Sequence, residues 1–297
     1  MKQPAYLTSG DRVALISTAR KIDQRIVDSA VKTFSSWGLE IVPGKHLFAE
    51  EDQFAGSDEL RMQDFQSALD DPSISAIICA RGGYGTVRIV DGISWKNFLE
   101  LPKWVIGYSD VTVLHGQLQV LGVESIHASM PVNFPSNSLE SLETLRAALF
   151  GESLGYSFAP HDFNKNGTAK GELIGGNLSI LYSLNGTSSF PDTHGRILFI
   201  EDLDEYLYHI DRMMMTLKRA GYFEQLSGVV VGGMSDMNDN EVPFGKTANE
   251  IIRNNLSEYS FPVCYGFPAG HLDDNRALIM GREVVLSIGS KESTLFF

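Results

Sequence analysis

The sequence predicts an α/β protein in which a parallel sheet is covered by helices on both faces. Short apolar runs alternate with stretches whose apolar residues recur at helical spacing. Such alternation is typical of parallel strands that are connected by helices. A hydrophobic fraction of 43% in a chain of 297 residues also allows a large buried core, in one or two domains.

The N-terminal half shows this alternation most clearly. Predicted strands cover residues 12–17, 39–42, 76–80 and 104–107, and predicted helices cover residues 22–37, 58–69 and 111–121. Ligands of parallel sheets bind beyond the carboxyl ends of the strands. The residues that follow 76–80 and 104–107 are therefore the first candidates for a functional site.

A change in composition predicts a domain boundary after the first sheet. Residues 131–167 are rich in Pro, Ser, Asn and Gly around one predicted helix, 139–150, as is common in domain connections. We therefore predict an N-terminal α/β domain over residues 1–150, a linker over 151–167 and a C-terminal β/α domain over 168–297.

The C-terminal domain is predicted to contain both strands and helices. It opens with a short strand, a break at Gly175-Gly176 and a helix that is capped by Asn177. Further strands are predicted at residues 196–200, 229–233, 261–265, 277–280 and 284–288, and helices at 210–220 and 247–256. Asp202, Asp204 and Glu205 follow one of these strands and are predicted to form a solvated helix start.

Composition and charge exclude several classes of function. Lys and Arg total 24 against 37 Asp and Glu, and the net charge of −13 provides no basic surface for nucleic acid. No apolar run approaches the ~18 residues of a membrane span, and the N-terminus lacks the apolar region of a signal peptide. Cys79 and Cys264 lie in apolar runs, which fits a reducing compartment. We expect a cytoplasmic protein that binds neither nucleic acid nor membranes.

The sequence predicts no metal and no cofactor. The acidic run 236–241 resembles the start of a calcium loop, but it lacks the glycine and the glutamate that such a loop requires. There is no H-E-x-x-H motif and no Cys/His pair at zinc spacing. The glycines at 82–85 lack the Gly-Lys-Ser/Thr ending of a P-loop, so they form either a plain turn or a loop that brings a backbone N–H near a reacting oxygen.

The junction at Ser109 is a candidate for nucleophilic chemistry. A buried strand closes on Gly107, and a helical pattern begins just after Asp110. Such a turn presents a hydroxyl at the top of a sheet, in front of the free N–H groups of a helix, as a nucleophile elbow requires. The match to G-x-S-x-G is partial, because Val111 stands in place of the last glycine. A plain helix cap at Ser109 or Asp110 is the alternative.

Glu201 and His271 are the other candidates for catalysis. Glu201 directly ends a buried apolar run, unlike the acidic residues that follow it. His271 lies in a loop defined by Pro and Gly, where Asp273 and Asp274 could orient the ring or face water. Taken alone, a loop histidine of this kind is also compatible with a surface position.

Five motifs, in this order and spacing, resemble the LD-carboxypeptidase family of serine peptidases, which includes muramoyltetrapeptide carboxypeptidases and microcin C self-immunity peptidases. The motifs are Arg81-Gly82-Gly83-Tyr84-Gly85, Gly107-Tyr108-Ser109-Asp110, Gly175-Gly176-Asn177-Leu178, Phe199-Ile200-Glu201-Asp202 and Gly270-His271. The likeness runs from Gly10 to about Ile288, which is nearly the whole chain.

The resemblance implies a Ser-His-Glu triad. Ser109 would be the nucleophile, His271 the general base and Glu201 the carboxylate that orients the imidazole. The backbone N–H groups of Gly83 and Asp110 would form the oxyanion hole. The resemblance further implies a flavodoxin-like N-terminal domain that carries the nucleophile and a swivelling C-terminal β/α domain that carries the other two residues. The active site would lie between them, in a homodimer that needs no metal or cofactor.

We therefore expect a serine carboxypeptidase that cleaves an L-to-D amide bond and releases a terminal D-amino acid. The expected substrate is a small peptide, murein tetrapeptide, which would lose D-alanine during peptidoglycan recycling. Residues 125–131 depart from the His-Gly-Pro-Met pattern of many relatives, so the family's substrate preference does not transfer in detail, while the triad is not affected. Three alternatives remain: a microcin C-type immunity peptidase acting on peptidyl- or aminoacyl-nucleotides, a non-catalytic two-domain binding protein, and a Cys79 enzyme of the glutamine-amidotransferase type.

Overall fold

The predicted alternation of strands and helices is present in the folded chain. The computed structural model describes all 297 residues. Its strands are β1 (Arg12–Ile16), β2 (Glu40–Pro43), β3 (Ile74–Cys79), β4 (Trp104–Gly107), β5 (Ser125–His127), β6 (Gly155–Phe158), β7 (Gly167–Asn177), β8 (Ile197–Leu203), β9 (Gly228–Ser235), β10 (Val263–Cys264), β11 (Leu278–Met280), β12 (Glu283–Ile288) and β13 (Ser293–Phe296). Its helices are α1 (Gln24–Ser36), α2 (Asp58–Asp70), α3 (Lys96–Glu100), α4 (Thr112–Val120), α5 (Leu139–Phe150), α6 (Leu178–Leu184), α7 (Leu207–Arg219) and α8 (Ala248–Leu256).

Side-chain caps fix where several helices begin. The Asp23 carboxylate accepts a hydrogen bond from the Arg25 N–H at the start of α1, and the Asn177 side chain accepts one from Ile180 at the start of α6. Thr247 forms a reciprocal capping box with the side chain of a glutamate in the first turn of α8. Each such cap stabilises its helix by about 1 kcal/mol. The predicted cap at Asn177 is thereby confirmed.

The first sheet has the strand order β11-β5-β4-β3-β1-β2. Strands β1 to β5 are parallel to one another, and β11 joins the edge in the antiparallel direction. The parallel order 2-1-3-4-5 is that of flavodoxin-like sheets, which bind ligands where the order reverses, between β1 and β3. The predicted flavodoxin-like sheet is confirmed, and the loops after β1, β3 and β4 lie at its binding edge.

The second sheet has the order β10-β9-β8-β7-β12-β13-β6. Its first four strands are parallel, and the other three pair antiparallel. One apolar cluster runs through both sheets, with Trp104 and Ile78 from the first and Phe199 and Leu286 from the second. The mixed sheet and the two-sheet architecture agree with the predicted α/β class.

The predicted break at Gly175-Gly176 is wrong, because β7 continues through both glycines to Asn177. A Cβ atom on Gly175 would lie 2.0 Å from the Phe199 carbonyl oxygen, and one on Gly176 would lie 2.5 Å from Thr112 Oγ1. The glycines therefore permit close contact with β8 on one side and α4 on the other, and they do not mark a turn.

Two strands cross the predicted domain limits. Strand β6 lies within the predicted linker and pairs with β13, while β11 leaves the C-terminal segment to pair with β5 of the first sheet. Tyr156 of β6 is buried and its hydroxyl donates to the Ala277 carbonyl oxygen. The domain limits at residues 150 and 168 remain a prediction. The chain between them is not a free connection, because strand pairing orders it.

None of the helices combines the length and the apolar composition that a membrane span requires. Both cysteines are free and fully buried. Burial raises the pKa of each thiol to about 12, so neither forms a thiolate near neutral pH. The Cys79 thiol therefore lacks the reactivity that an amidotransferase nucleophile needs.

Candidate active site

Ser109 lies on a strained turn directly after β4. Its φ angle is 62°, in the left-handed region that side chains other than glycine rarely adopt. Residues Ser109–Val111 form a short 3₁₀ turn that leads into α4. A serine held in this way between a strand and a helix is the geometry of a nucleophile elbow.

The structure explains why valine is tolerated where the elbow motif has its last glycine. A Cβ atom on Gly107 would lie 2.8 Å from a methyl group of Val111. The missing side chain at Gly107, where φ is 156°, makes the room that Val111 fills. The tight turn therefore depends on one of the two motif glycines, and the second is replaceable.

The glycine loop after β3 packs directly against the serine turn. A Cβ atom on Gly82 would lie 3.1 Å from Ser109 Cβ and 3.4 Å from the Asp110 backbone nitrogen. Gly83 follows with φ of 116°, and its Cα faces the side chain of Arg20. The Asp110 side chain is fully buried and accepts a hydrogen bond of 2.9 Å from the Thr86 N–H.

Glu201 and His271 form a hydrogen-bonded pair although 70 residues separate them. His271 Nδ1 lies 2.7 Å from Glu201 Oε2, and the same oxygen accepts the His271 backbone N–H at 3.2 Å. Glu201 lies within the buried part of β8 and has no exposed surface. A Cβ atom on Gly270 would lie 2.6 Å from Glu201 Oε2, so glycine is needed there for the two groups to meet.

This pair sets the protonation behaviour of the imidazole. Burial of the ring lowers the pKa of His271, but the charge of Glu201, the hydrogen bond to it and the charge of Asp202 raise it by more. The net pKa is therefore above the ordinary value. Because Nδ1 is engaged by Glu201, Nε2 is the ring atom that is left to take up a proton.

Asp202 is not the solvated residue that the sequence predicted. Its side chain is 1% exposed and accepts hydrogen bonds from Asn177 Nδ2 at 2.8 Å and from the Ser179 N–H at 2.9 Å. Burial, together with the neighbouring charge of Glu201, raises the pKa of Asp202 to about 7. The run of acidic residues suggested a solvated segment, but β8 continues past Glu201 and the Asp202 carboxylate is buried within it.

A cavity of about 570 Å³ lies between the two sheets, and most of the predicted site residues line it. Ser109, Gly83 and His271 line it, whereas Glu201 lies behind the imidazole and Asp110 beneath the serine turn. The Ser109 hydroxyl makes no hydrogen bond in this structure. A nucleophile and its base are often further apart before substrate binds.

The cavity also contains polar residues for which no site role was predicted, among them Arg20, Arg81, Asn133 and Asn177. Arg81 and Asn177 lie within the five family motifs. Arg20 and Arg81 follow the carboxyl ends of β1 and β3. The topological rule for parallel sheets indicated the residues after β3, and the same rule applied to β1 is the signal that could have found Arg20. Nowhere in the chain do three or more His, Cys, Asp or Glu side chains come together as a metal site would require.

The chain matches the sequence models of both domains of one family. Residues 13–128 match the LD-carboxypeptidase N-terminal domain, and residues 170–286 match the LD-carboxypeptidase C-terminal domain. The chain belongs to the LD-carboxypeptidase family. The resemblance predicted from the five motifs is thereby confirmed, and the predicted class of enzyme, a carboxypeptidase of a serine peptidase family, is confirmed with it.

Curated relatives of this LD-carboxypeptidase cover almost the whole chain. A probable murein peptide carboxypeptidase of Bacillus subtilis is 33% identical over 99% of this chain and 94% of its own length. The murein tetrapeptide carboxypeptidase of Pseudomonas aeruginosa is 29% identical over 93% of this chain and 92% of its own length. A non-catalytic binding protein is therefore not supported.

Solved structures show the same two-domain fold. The muramoyltetrapeptide carboxypeptidase of Oxalobacter formigenes superposes with a TM-score of 0.88 at 26% identity, covering 96% of this chain and 98% of its own. An MccF-like protein of Bacillus anthracis superposes with a TM-score of 0.87 at 21% identity, over 100% of this chain and 99% of its own. The similarity to the MccF-like protein is evidence for a shared fold alone.

The pH dependence of this LD-carboxypeptidase tests the environment of His271. With His271 as the general base that the resemblance implies, we expect kcat/KM to rise with pH, with a midpoint above the ordinary histidine value of 6.5, because the base must be neutral and the folded pKa of His271 is raised. Asp202→Asn should lower the midpoint, since the charge of Asp202 helps to raise the pKa of His271. The midpoint is obtained by measuring kcat/KM against pH for the wild-type protein and for Asp202→Asn. A wild-type midpoint below 6.5, or an unchanged one in Asp202→Asn, would contradict it.

Proposed function

We propose that Ser109, His271 and Glu201 form the catalytic triad of this carboxypeptidase. The proposal rests chiefly on one observation: an imidazole held at 2.7 Å by a buried carboxylate lines the same cavity as a serine on a strained turn. An alcohol is a weak nucleophile at neutral pH, so it needs a base, and the base needs a carboxylate to fix its tautomer.

The reaction proceeds by acyl transfer through Ser109. His271 Nε2 takes the hydroxyl proton while Oγ attacks the carbonyl carbon of the scissile amide. The imidazolium, which is stabilised by Glu201, then gives that proton to the nitrogen of the leaving amino acid as the C–N bond breaks. A water molecule, activated by the same imidazole, hydrolyses the ester and frees Ser109.

The backbone N–H groups of Gly83 and Asp110 stabilise the oxyanion that forms during the attack. Support comes from the glycine loop, which packs against the serine turn so that Gly82 lies beside both Ser109 and the Asp110 nitrogen. Fixed N–H donors at this position contribute differentially to the transition state, because negative charge develops there only during the reaction.

The substrate is a small peptide with an L-to-D amide bond, murein tetrapeptide, which loses its terminal D-alanine in peptidoglycan recycling. The names of the relatives from B. subtilis and P. aeruginosa support this substrate. A cavity of about 570 Å³ also suits the end of a peptide, since small-molecule sites span about 300 to 1,000 Å³. We propose that the enzyme works in the cytoplasm as a homodimer, without nucleic acid or membrane partners. Two free, buried cysteines fit that compartment.

The proposal is tested by incubating the purified protein with a disaccharide tetrapeptide and measuring the release of D-alanine. We expect release both with and without EDTA, because the triad needs no metal. The matched control is the same peptide with L-alanine at its end, which should be cleaved far more slowly. An aminoacyl-nucleotide serves as a second substrate. Cleavage of the nucleotide but not of the tetrapeptide would favour the microcin-type activity instead, and loss of rate in EDTA would contradict a metal-free mechanism.

A further inference from the structure

Two arginines in the cavity lack the acidic partners that nearby arginines have. Arg20 and Arg81 both line the cavity, and neither forms a salt bridge. Close by, Arg61 and Arg88 both pair with Asp58. In a chain with a net charge of −13, two unpaired guanidinium groups in one cavity are unexpected. Such groups attract an anion from solution.

The two arginines are held in place by the loops at the binding edge of the first sheet. Arg20 follows β1 and lies across Gly83, where a Cβ atom would be 2.6 Å from Arg20 Cδ. Arg81 follows β3, and its Nη1 donates to the Lys21 carbonyl oxygen at 3.2 Å. Its Nε is buried without a hydrogen-bond partner. Burial lowers the pKa of Arg81, and the charge of Arg20 lowers it further, so the two guanidinium groups act on one another.

The opposite wall of the cavity carries the other sign of charge. Asp204 and Glu205, which follow β8, line it, and Glu205 also pairs with His209. An anionic end of a ligand is repelled from that wall and attracted to the arginines. The cavity is therefore polarised, and it favours one direction of binding for a peptide.

We propose that Arg20 and Arg81 bind the terminal carboxylate of the peptide. This assignment rests on the proposed function. The carboxylate of a C-terminal residue lies only about 4 Å from the carbonyl carbon that precedes it. If the Gly83 N–H donates to the oxyanion, the terminal carboxylate lies next to the side chain that packs on Gly83. That side chain belongs to Arg20. Two guanidinium groups provide the parallel donors that recognise a planar carboxylate.

This site accounts for the removal of a single terminal residue. A longer peptide would place a neutral amide between the guanidinium groups of Arg20 and Arg81, and neither group would then have an anionic partner. Charge-assisted hydrogen bonds of this kind differ in affinity from neutral ones by roughly 10-fold to 100-fold.

The test compares the binding of two ligands to Ser109→Ala, which does not turn them over. One ligand is the disaccharide tetrapeptide with its free terminal carboxylate, and the other is the same peptide with that carboxylate converted to a primary amide. Calorimetry should give at least about 10-fold tighter binding of the acid. Adding Arg20→Gln or Arg81→Gln should remove this preference by weakening the acid alone. Arg219→Gln, an exposed arginine on α7, is the matched control, and Arg81→Lys should restore part of the preference.

Several outcomes would overturn the assignment. These are a preference for the acid that survives both substitutions, an equal loss for acid and amide, or no binding of the acid by folded Ser109→Ala. Adenosine monophosphate is included as a competitor. Tighter binding of this phosphate than of the peptide, dependent on both arginines, would assign the site to phosphate instead. If Ser109→Ala binds the acid as expected but the wild-type protein releases no D-alanine, the proposed function fails and the carboxylate site stands.

Discussion

Ser109→Ala is expected to abolish the release of D-alanine while the protein stays folded. The change removes the attacking oxygen, and it removes no hydrogen bond, because the Ser109 hydroxyl has no partner in the structure. We expect activity to fall to the residual level that positioning and oxyanion stabilisation alone provide, a loss of about 10⁶ in kcat for serine peptidases. A fluorophosphonate should label the wild-type protein and fail to label the variant.

Two further variants make this result specific. His271→Ala should cost about as much as Ser109→Ala, and the double variant should be no slower, because the members of a triad act as one unit. Ser179→Ala is the matched control, since Ser179 lines the same cavity but donates its hydroxyl to Asn177 Oδ1. It should change kcat little. Near-normal turnover by folded Ser109→Ala, or additive losses in the double variant, would reject the mechanism.

The parts of the fold that depend on local pattern are predictable from the sequence. The Ser109 turn, for example, could be located because a buried strand, Gly107 and an amphipathic helix are adjacent in the chain. The order of the first sheet agrees with the flavodoxin-like domain that the family resemblance implied. The local pattern could not predict the contact of Glu201 with His271, since nothing local relates a strand residue to a loop residue 70 positions further along the chain. That pairing was predicted only through the family resemblance.

The errors have a common physical cause, which is that tertiary contacts changed the meaning of a local signal. Gly175-Gly176 suggests a turn, but neighbouring β8 and α4 approach so closely that only glycine fits within a continuous strand. Asp202 suggests a solvated helix start, but Asn177 and Ser179 provide hydrogen bonds that allow it to be buried. Arg20 could not be predicted as a lining residue, because it packs on Gly83 in the loop after β3, which is distant in sequence.

Glu201→Gln is expected to lower kcat by at least roughly 10²-fold with little change in KM, because the carboxylate contacts the base and not the substrate. Glutamine can keep the hydrogen-bond geometry between residue 201 and His271. Glu201 Oε2 accepts both the Nδ1–H and the backbone N–H of His271, so the amide oxygen is held in that position and the same tautomer persists. What disappears is the charge that stabilises the imidazolium. The corresponding change in chymotrypsin-type proteases, where the tautomer also changes, costs about 10⁴.

The pH profile separates this role from a merely structural one. Since the charge of Glu201 raises the pKa of His271, the midpoint of kcat/KM in Glu201→Gln should move to lower pH, while the plateau stays low. Asp64→Asn is the matched control, because Asp64 also accepts from the ring Nδ1 and the backbone N–H of a histidine, His46, outside the cavity. It should leave kcat unchanged, and Asp202→Asn should reduce kcat far less than Glu201→Gln. Near-normal kcat in Glu201→Gln, or an equal loss in Asp202→Asn, would remove Glu201 from the triad.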